Sequence, residues 1–322
     1  MSSDRPDVSV VIPTRDRHEI LRRTLEGALA QEGVDLEVIV VDDGSRDGTA
    51  ERLAGLDEPR LRIVRNETSR GVGAARNIGI REARGEWLAF LDDDDLWSPQ
   101  KLKTQIDTAR AGGAAVAYAA VAVVDEELDL IEILRGPQPA KVRDDLITGC
   151  VIPAGCSNVV ATAEIVRAVD GFDERLHQFA DWDMWLRLTA RGDVAVAEAP
   201  LVAYVQHSGS MMLANDLRDL IEEFNYIAAK HSALSRERGI DFDRAGLERW
   251  MAWGESRSGR RLAAARRYLR AAFTYGRARN AAMARWSLRH SVGALMGQRL
   301  TDSGRPVADD RAAEPAWLDR YR

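Results

Sequence analysis

The sequence predicts an α/β fold: a Rossmann-like, mostly parallel sheet flanked by helices, followed by an all-helical C-terminal extension. Three observations predict it. Over the first 125 residues short, near-continuous apolar runs alternate with amphipathic helical patterns, as in a parallel sheet covered on both faces. The polar clusters of this region sit at the ends of the apolar runs, where open α/β sheets bind ligands. Beyond about residue 215 only helical periodicity is left.

Residues 8–12 are a first strand, stopped by Pro13. Residues 18–31 follow with Ile20, Leu21, Leu25, Ala28 and Leu29 on one helical face. Residues 36–41 make a β-branched second strand ended by Asp42-Asp43-Gly44-Ser45, and a short helix starts near Thr49. The third strand is 61–64, the third helix 74–83 and the fourth strand 87–91. Ser98-Pro99 predicts an N-cap with proline at the first helical position, opening a helix over 100–111. Residues 116–124 and 128–134 predict a β-hairpin, 137–155 a long loop with a short helix, 181–191 a helix and 201–205 a strand. The later helices are 215–231, 243–256, 260–275 and 279–296, with a polar tail from Thr301.

The 322 residues are 45% hydrophobic and 30% charged, enough to bury a substantial core. The net charge of −6 hides an asymmetry. Residues 230–300 hold 16 Lys/Arg against 5 Asp/Glu, a net +11, which leaves −17 for the rest. An acidic body argues against nucleic acid as a partner. The basic helices can pack on the body, meet anionic lipid or a lipid-diphosphate acceptor, or bind a partner protein. The two cysteines, Cys150 and Cys156, form no CxxC pair, so free thiols in a reducing compartment are expected rather than zinc. No signal-peptide pattern and no membrane-length apolar run is present. A cytoplasmic location is expected, at most peripheral at the inner face of a membrane.

Four consecutive aspartates, Asp92 to Asp95, follow the fourth strand. Carboxylates converging at about 4–5 Å repel by several kcal/mol at an intermediate dielectric, and a hard divalent cation reverses that sign. Strand alternation puts Asp92 and Asp94 on one side and turns Asp93 away, marking the pair as ligands for Mn²⁺ or Mg²⁺. The alternative is a solvated loop in which Asp95 starts the next turn. Asp43 stands where such sheets place a carboxylate against ribose or base groups, or else it makes an Asx turn with Gly44. Gly71-Val72-Gly73 opens a helix whose free N–H groups, with Arg70 and Arg76, can hold a diphosphate.

The stretches VSVVIPTRDR, VIVVDDGSRDGT, RGVGAARNIGI, GEWLAFLDDDDLWSPQKL, GFDERL and DWDMWLRL occur in this order. Together they resemble family 2 glycosyltransferases of the GT-A fold over roughly residues 7–210. The resemblance implies a nucleotide diphosphate-sugar donor, UDP-linked in most members, a metal on a D-x-D motif, and inversion at the anomeric carbon. It also implies a saccharide, lipid-linked or other hydroxyl acceptor. Carried over by position, Pro13, Thr14 and Asp16 line the nucleoside pocket, Asp43 meets the base and Arg76 lies near the diphosphate. Asp92 and Asp94 are the D-x-D acids, Asp94 the direct metal ligand, with Asp93 near the ribose. Asp181 is the general base, although Ala180 replaces the glutamate that members usually carry before it, and a helix start also suits an N-cap. His207 completes the metal shell or meets the diphosphate, or is simply solvated. Trp182 and Trp185 offer an acceptor platform, with Trp185 also at core spacing to Leu188. Residues 1–213 are then the catalytic domain, with a nucleotide half to about 125 and an acceptor half beyond. Residues 214–300 are a basic helical region, and 301–322 a polar tail compatible with disorder. A sugar-1-phosphate nucleotidylyltransferase is disfavoured because Pro13-Thr14-Arg15-Asp16 is not a Gly-rich loop. A non-catalytic sugar-nucleotide binder is the other alternative.

Overall fold

The computed structural model of the protein describes residues 5–207, 217–278, 280–297 and 314–322. Its contacts divide the chain into two units, residues 1–146, 150–206 and 311–322 on one hand and 147–149 and 207–310 on the other.

In the first unit, β1 (Val8–Thr14), β2 (Leu36–Asp42) and β3 (Leu61–Arg65) alternate with α1 (His18–Leu29), α2 (Thr49–Ala54) and α3 (Val72–Glu82). After α3 come β4 (Trp87–Phe90), β5 (Leu96–Trp97), α4 (Lys101–Ala111), β6 (Val116–Val124) and β7 (Leu130–Leu134). Helices α5 (Val142–Thr148) and α6 (Gly155–Asn158), strand β8 (Val160–Thr162), α7 (Ala163–Ala168), α8 (Ala180–Thr189) and β9 (Val194–Val205) follow. The strands form one nine-stranded sheet in the order β3-β2-β1-β4-β8-β6-β9-β5, with β7 paired to β6. Strands β3, β2, β1 and β4 are parallel throughout, while β8 joins them antiparallel to β6. β1 and β2 are buried along their whole length, because helices cover both faces of these inner parallel strands. Their Val10, Ile12, Val38 and Val40 pack with Leu21 and Leu25 of α1 and Leu102 and Ile106 of α4.

Register fixes where the polar clusters meet. Thr14 lies opposite Asp42 and Val11 opposite Phe90, so β1, β2 and β4 end along one edge of the sheet. Asp43 N–H donates to the Thr14 carbonyl at 2.9 Å, and Leu91 N–H to that of Val11 at 3.0 Å.

Two local expectations differ. Ser98 does not cap α4: the helix starts at Lys101 behind Gln100, without a side-chain cap. The cause is β5, which takes Leu96 and Trp97 into antiparallel pairing with Ala203 and Val202 of β9 and sends Ser98 N–H to the Leu201 carbonyl. β9 is also longer than its apolar end suggests, because parallel pairing with β6 carries it from Val194 onward. The last residues of the polar tail, 314–322, fold back on this unit. Their short 3₁₀ helix, Ala316–Arg320, buries Leu318 among Leu96, Ala122, Val124 and Leu128. Trp317 Nε1 donates to the Pro200 carbonyl at 2.9 Å and Tyr321 Oη to that of Trp97 at 2.7 Å. One open carbonyl of the short edge strand, that of Trp97, is thereby taken.

The second unit is helical: α9 (Leu217–Lys230), α10 (Ser232–Arg238), α11 (Arg244–Arg257), α12 (Arg261–Arg277) and α13 (Ala281–Leu295). Asp243 caps α11 by accepting from Gly246 N–H at 2.9 Å, and takes the Tyr275 hydroxyl at 2.6 Å. Small residues allow close helix packing, with Ala252, Ala264, Ala265 and Ala294 around Tyr268. Arg267 ties α12 to Glu248 at 2.8 Å and Glu255 at 3.2 Å of α11. No described helix is long and apolar enough to cross a membrane.

Candidate active site

The aspartate run is a turn. Asp95 N–H donates to the Asp92 carbonyl at 3.2 Å, and β5 begins directly afterwards. The turn leaves Asp92 and Asp94 partly exposed and buries Asp93 and Asp95. Asp92 accepts from Arg76 Nη2 at 2.5 Å. Asp93 points inward, taking the Thr14 hydroxyl at 2.7 Å, and shares Arg17 with Asp94, at 3.1 Å and 2.6 Å. Asp95 is buried, accepts from Val205 N–H at 3.2 Å and is bonded by Ser157, so it anchors β9 rather than starting a solvated turn. Ser157 Oγ also receives Asp92 N–H at 3.0 Å, and Thr24 Oγ1 lies 3.0 Å from the carbonyls of both Asp93 and Asp95. Burial and the neighbouring Asp94 push the Asp93 carboxyl up, against the opposing charge of Arg17.

Arg17, at the N-cap of α1, was not singled out by sequence. It is the second basic residue of the PTRDR stretch, and its spacing from Thr14 is the one signal that could have marked it.

Arg76 is the hub on the other side. It is buried on α3 and lies over the Phe172 ring at 5.3 Å. Phe172 is held in turn by Asn77, which donates to its carbonyl at 2.9 Å and accepts its N–H at 2.8 Å. The charge of Arg76 acts on Asp92, Cys156 and Asp181. Its Nε has no hydrogen-bond partner, so a buried donor stays available for an anion.

Asp181 is the second residue of α8, behind Phe179 at the cap, and so is not an N-cap itself. Its Oδ1 accepts the N–H of Trp182 at 2.7 Å, and the Cys150 thiol lies 3.9 Å from Oδ2. Burial pushes its carboxyl up to about 6 against the charge of Arg76 and the Trp182 N–H, with Asp92 adding to the rise. Gly155 approaches so closely that a Cβ there would stand 2.5 Å from Oδ2, and its φ of +44 is left-handed. The same helix carries an ion pair that fixes it in place. Asp183, fully buried, pairs with Arg187 at 2.6 Å, and Arg187 binds the Gly171 carbonyl at 2.7 Å.

Other expected residues take different parts. Asp43 does not turn a free carboxylate outward: Asn66, Ser69, Arg70 and Gly71 all donate to it at 2.7–3.1 Å, shaping the loop before α3. Burial raises its carboxyl, but those four donors outweigh it and hold the group below its ordinary value. Pro13 and Thr14 are buried in β1. Asp16, at φ 54, takes Arg46 N–H at 2.7 Å and links the loops after β1 and β2. Trp182 and Trp185 are 2% and 0% exposed, and the Trp182 indole donates to the Leu146 carbonyl at 2.6 Å. Their spacing on α8 buries them, so neither is an acceptor platform. His207 is half-buried and belongs to the second unit.

Among the described residues no three His, Cys, Asp or Glu side chains converge as a metal group. The partly exposed carboxylates at the turn are Asp92 and Asp94, whose side chains are 36% and 18% exposed. Two hard oxygen donors suit Mg²⁺ or Mn²⁺, which such sites hold together with substrate phosphates.

The model of Glycosyl transferase family 2 matches residues 9–157. The succinoglycan biosynthesis protein ExoO of Rhizobium meliloti (strain 1021) is 31% identical over 246 residues, 73% of this chain and 70% of that one. The UDP-Glc:alpha-D-GlcNAc-diphosphoundecaprenol beta-1,3-glucosyltransferase WfaP of Escherichia coli is 26% identical over 68% of this chain and 85% of its own. Some longer relatives are spanned over only 28% to 36% of their length. The crystal structure of S. aureus TarS 1-349 in complex with UDP-GlcNAc superposes with a TM-score of 0.59 at 20% identity, over 91% of this chain and 92% of that one. With a sheet whose first strands end at an acid turn facing Arg76 and Asp181, the chain belongs to glycosyl transferase family 2 and is a glycosyltransferase of the GT-A fold.

Proposed function

We propose that the protein is an inverting, metal-dependent glycosyltransferase of cell-envelope polysaccharide synthesis. It moves a sugar from a UDP-sugar to the hydroxyl of a saccharide acceptor carried on a lipid. The carrying observation is the Arg76–Asp92 pair at 2.5 Å, joined to Asp181 through α6, whose Ser157 takes the Asp92 N–H and whose Gly155 lies against the Asp181 carboxylate. The names of the similar proteins support the polysaccharide and lipid-linked setting.

The donor diphosphate lies at the N-terminus of α3, where the helix dipole and the unpartnered Arg76 Nε favour an anion. Asp92 and Asp94 are the residues that would hold Mn²⁺ or Mg²⁺, and the bound ion would supply positive charge for the diphosphate. Asp181 takes the proton of the acceptor hydroxyl while that oxygen bonds to the anomeric carbon. The bond from that carbon to the diphosphate oxygen breaks with its electron pair, and attack opposite the leaving group inverts the centre. A carboxyl raised to about 6 is a better proton acceptor than an ordinary aspartate and is still ionised at neutral pH.

A panel of nucleotide-sugars, scored for nucleoside diphosphate release with Mn²⁺, Mg²⁺ or EDTA, tests this reading without knowledge of the acceptor. Slow hydrolysis of a UDP-sugar that EDTA abolishes is expected. Absence of release and of binding across the panel would refute it.

A further inference from the structure

Ten large apolar side chains stand exposed among the described residues, and seven of them come from α12, α13 and Met296 just beyond. Leu262, Leu269 and Phe273 are spaced by seven and four residues along α12, and Leu288, Val292 and Leu295 by four and three along α13. Each set therefore forms one strip on its helix. Phe273 is 63% exposed and Leu262 68%.

Ser291 Oγ donates to the Ala265 carbonyl at 3.1 Å and Tyr268 meets Trp286 edge-on, so the two helices run antiparallel. Ala271 and Tyr275 of α12 pack on Ala245 of α11. The helical phase puts the α12 strip on the side of the hairpin away from α11, and the antiparallel phase puts the α13 strip on that same side. The two strips make one apolar surface.

Its charge surroundings choose the occupant. Between Ser256 and Thr301 the chain has eleven arginines and no acidic residue. Arg266, Arg270, Arg285 and Arg289 are exposed beside the strips, and the Arg277 guanidinium lies 4.7 Å over the Phe273 ring. Apolar strips rimmed by arginine, without an acid to repel phosphate, match the interfacial zone of an anionic bilayer. A second copy would bring one all-positive face against another.

We infer that the exposed face of the α12–α13 hairpin docks on an anionic membrane surface, its leucines and Phe273 entering the headgroup boundary and its arginines meeting lipid phosphates. The inference rests on the surface alone and is independent of the glycosyl-transfer reading.

The full chain is floated with vesicles of phosphatidylglycerol and phosphatidylcholine, and with phosphatidylcholine alone, at low and high salt. The wild-type protein is expected to float with the anionic vesicles and to be released at about 0.5 M salt. Phe273→Glu with Leu288→Glu, and separately Arg266→Glu with Arg270→Glu, should each weaken binding by about tenfold or more. A melting curve by circular dichroism shows whether each variant folds, and Leu269→Ser replaces any that does not. Wild-type protein left behind by anionic vesicles at low salt overturns the inference. So does equal binding to neutral vesicles, or a dimer in sedimentation that these same substitutions dissociate.

Discussion

Asp181 sits one hydrogen bond from the main chain of its own helix and within the field of Arg76, yet burial leaves its carboxyl raised to about 6. A base must be ionised before it can accept a proton, so the sign of the pH effect follows. Transfer should proceed on a plateau above that value, and kcat/KM should fall about tenfold per pH unit below it. A pH profile of kcat/KM for the acceptor, taken well below saturation, checks this. Across the turn, Arg17 bridges Asp93 and Asp94 at 3.1 Å and 2.6 Å and offsets the repulsion of adjacent carboxylates. Replacing it by methionine removes that charge while keeping much of its bulk. In Arg17→Met the divalent-ion affinity of nucleotide-free protein should rise, by up to about tenfold, since a cation then meets Asp94 without a competing guanidinium. Electron paramagnetic resonance titration with Mn²⁺ reads this directly, and unchanged affinity would mean that Arg17 does not compete for those acids.

At the scale of elements, the site depends on short segments rather than on the long strands. α6 brings Gly155 against Asp181 and Ser157 against the acid turn. Gly155→Ala forces a carbon to 2.5 Å from Asp181 Oδ2 in a left-handed backbone, so the carboxylate or α6 must shift. A displacement on the order of 1 Å lowers turnover about a hundredfold. Nucleotide affinity, measured by calorimetry, should be little changed, because Arg76 and Asp92 do not contact that carbon. The elements legible from local pattern were those whose own residues specify them. β1, β2, β4 and α1 alternate as expected, and their ends coincide through register. β5 and the first half of β9 were not legible, because two residues and an irregular run acquire strand structure only by pairing with distant partners. The return of Leu318 to a pocket of Leu96 and Val124 has the same origin in long-range contact.

Over the whole molecule, the sequence motifs lie along one edge of the sheet, and the fold gives several of their side chains partners that local pattern does not show. Arg76 meets Asp92, and α6 touches both Asp181 and the acid turn through Gly155 and Ser157. Asp43 was read as a ligand group because its place at a strand end was visible, while the four loop donors that fill it were not. The tryptophans of α8 were visible as aromatic residues, but only the packed fold shows them buried. The basic excess of residues 230–300 was plain in composition, and the structure divides it into inward arginines such as Arg267 and the outward ring around Phe273. In the proposed mechanism the protein binds a nucleotide-sugar through Arg76 and the acid turn and uses Asp181 for proton transfer. Asp181→Asn tests it most directly, with UDP affinity and sugar transfer measured on the same preparation. UDP affinity within about threefold of wild type and transfer lower by about 10²–10⁴-fold are expected. Undiminished transfer by Asp181→Asn would contradict it.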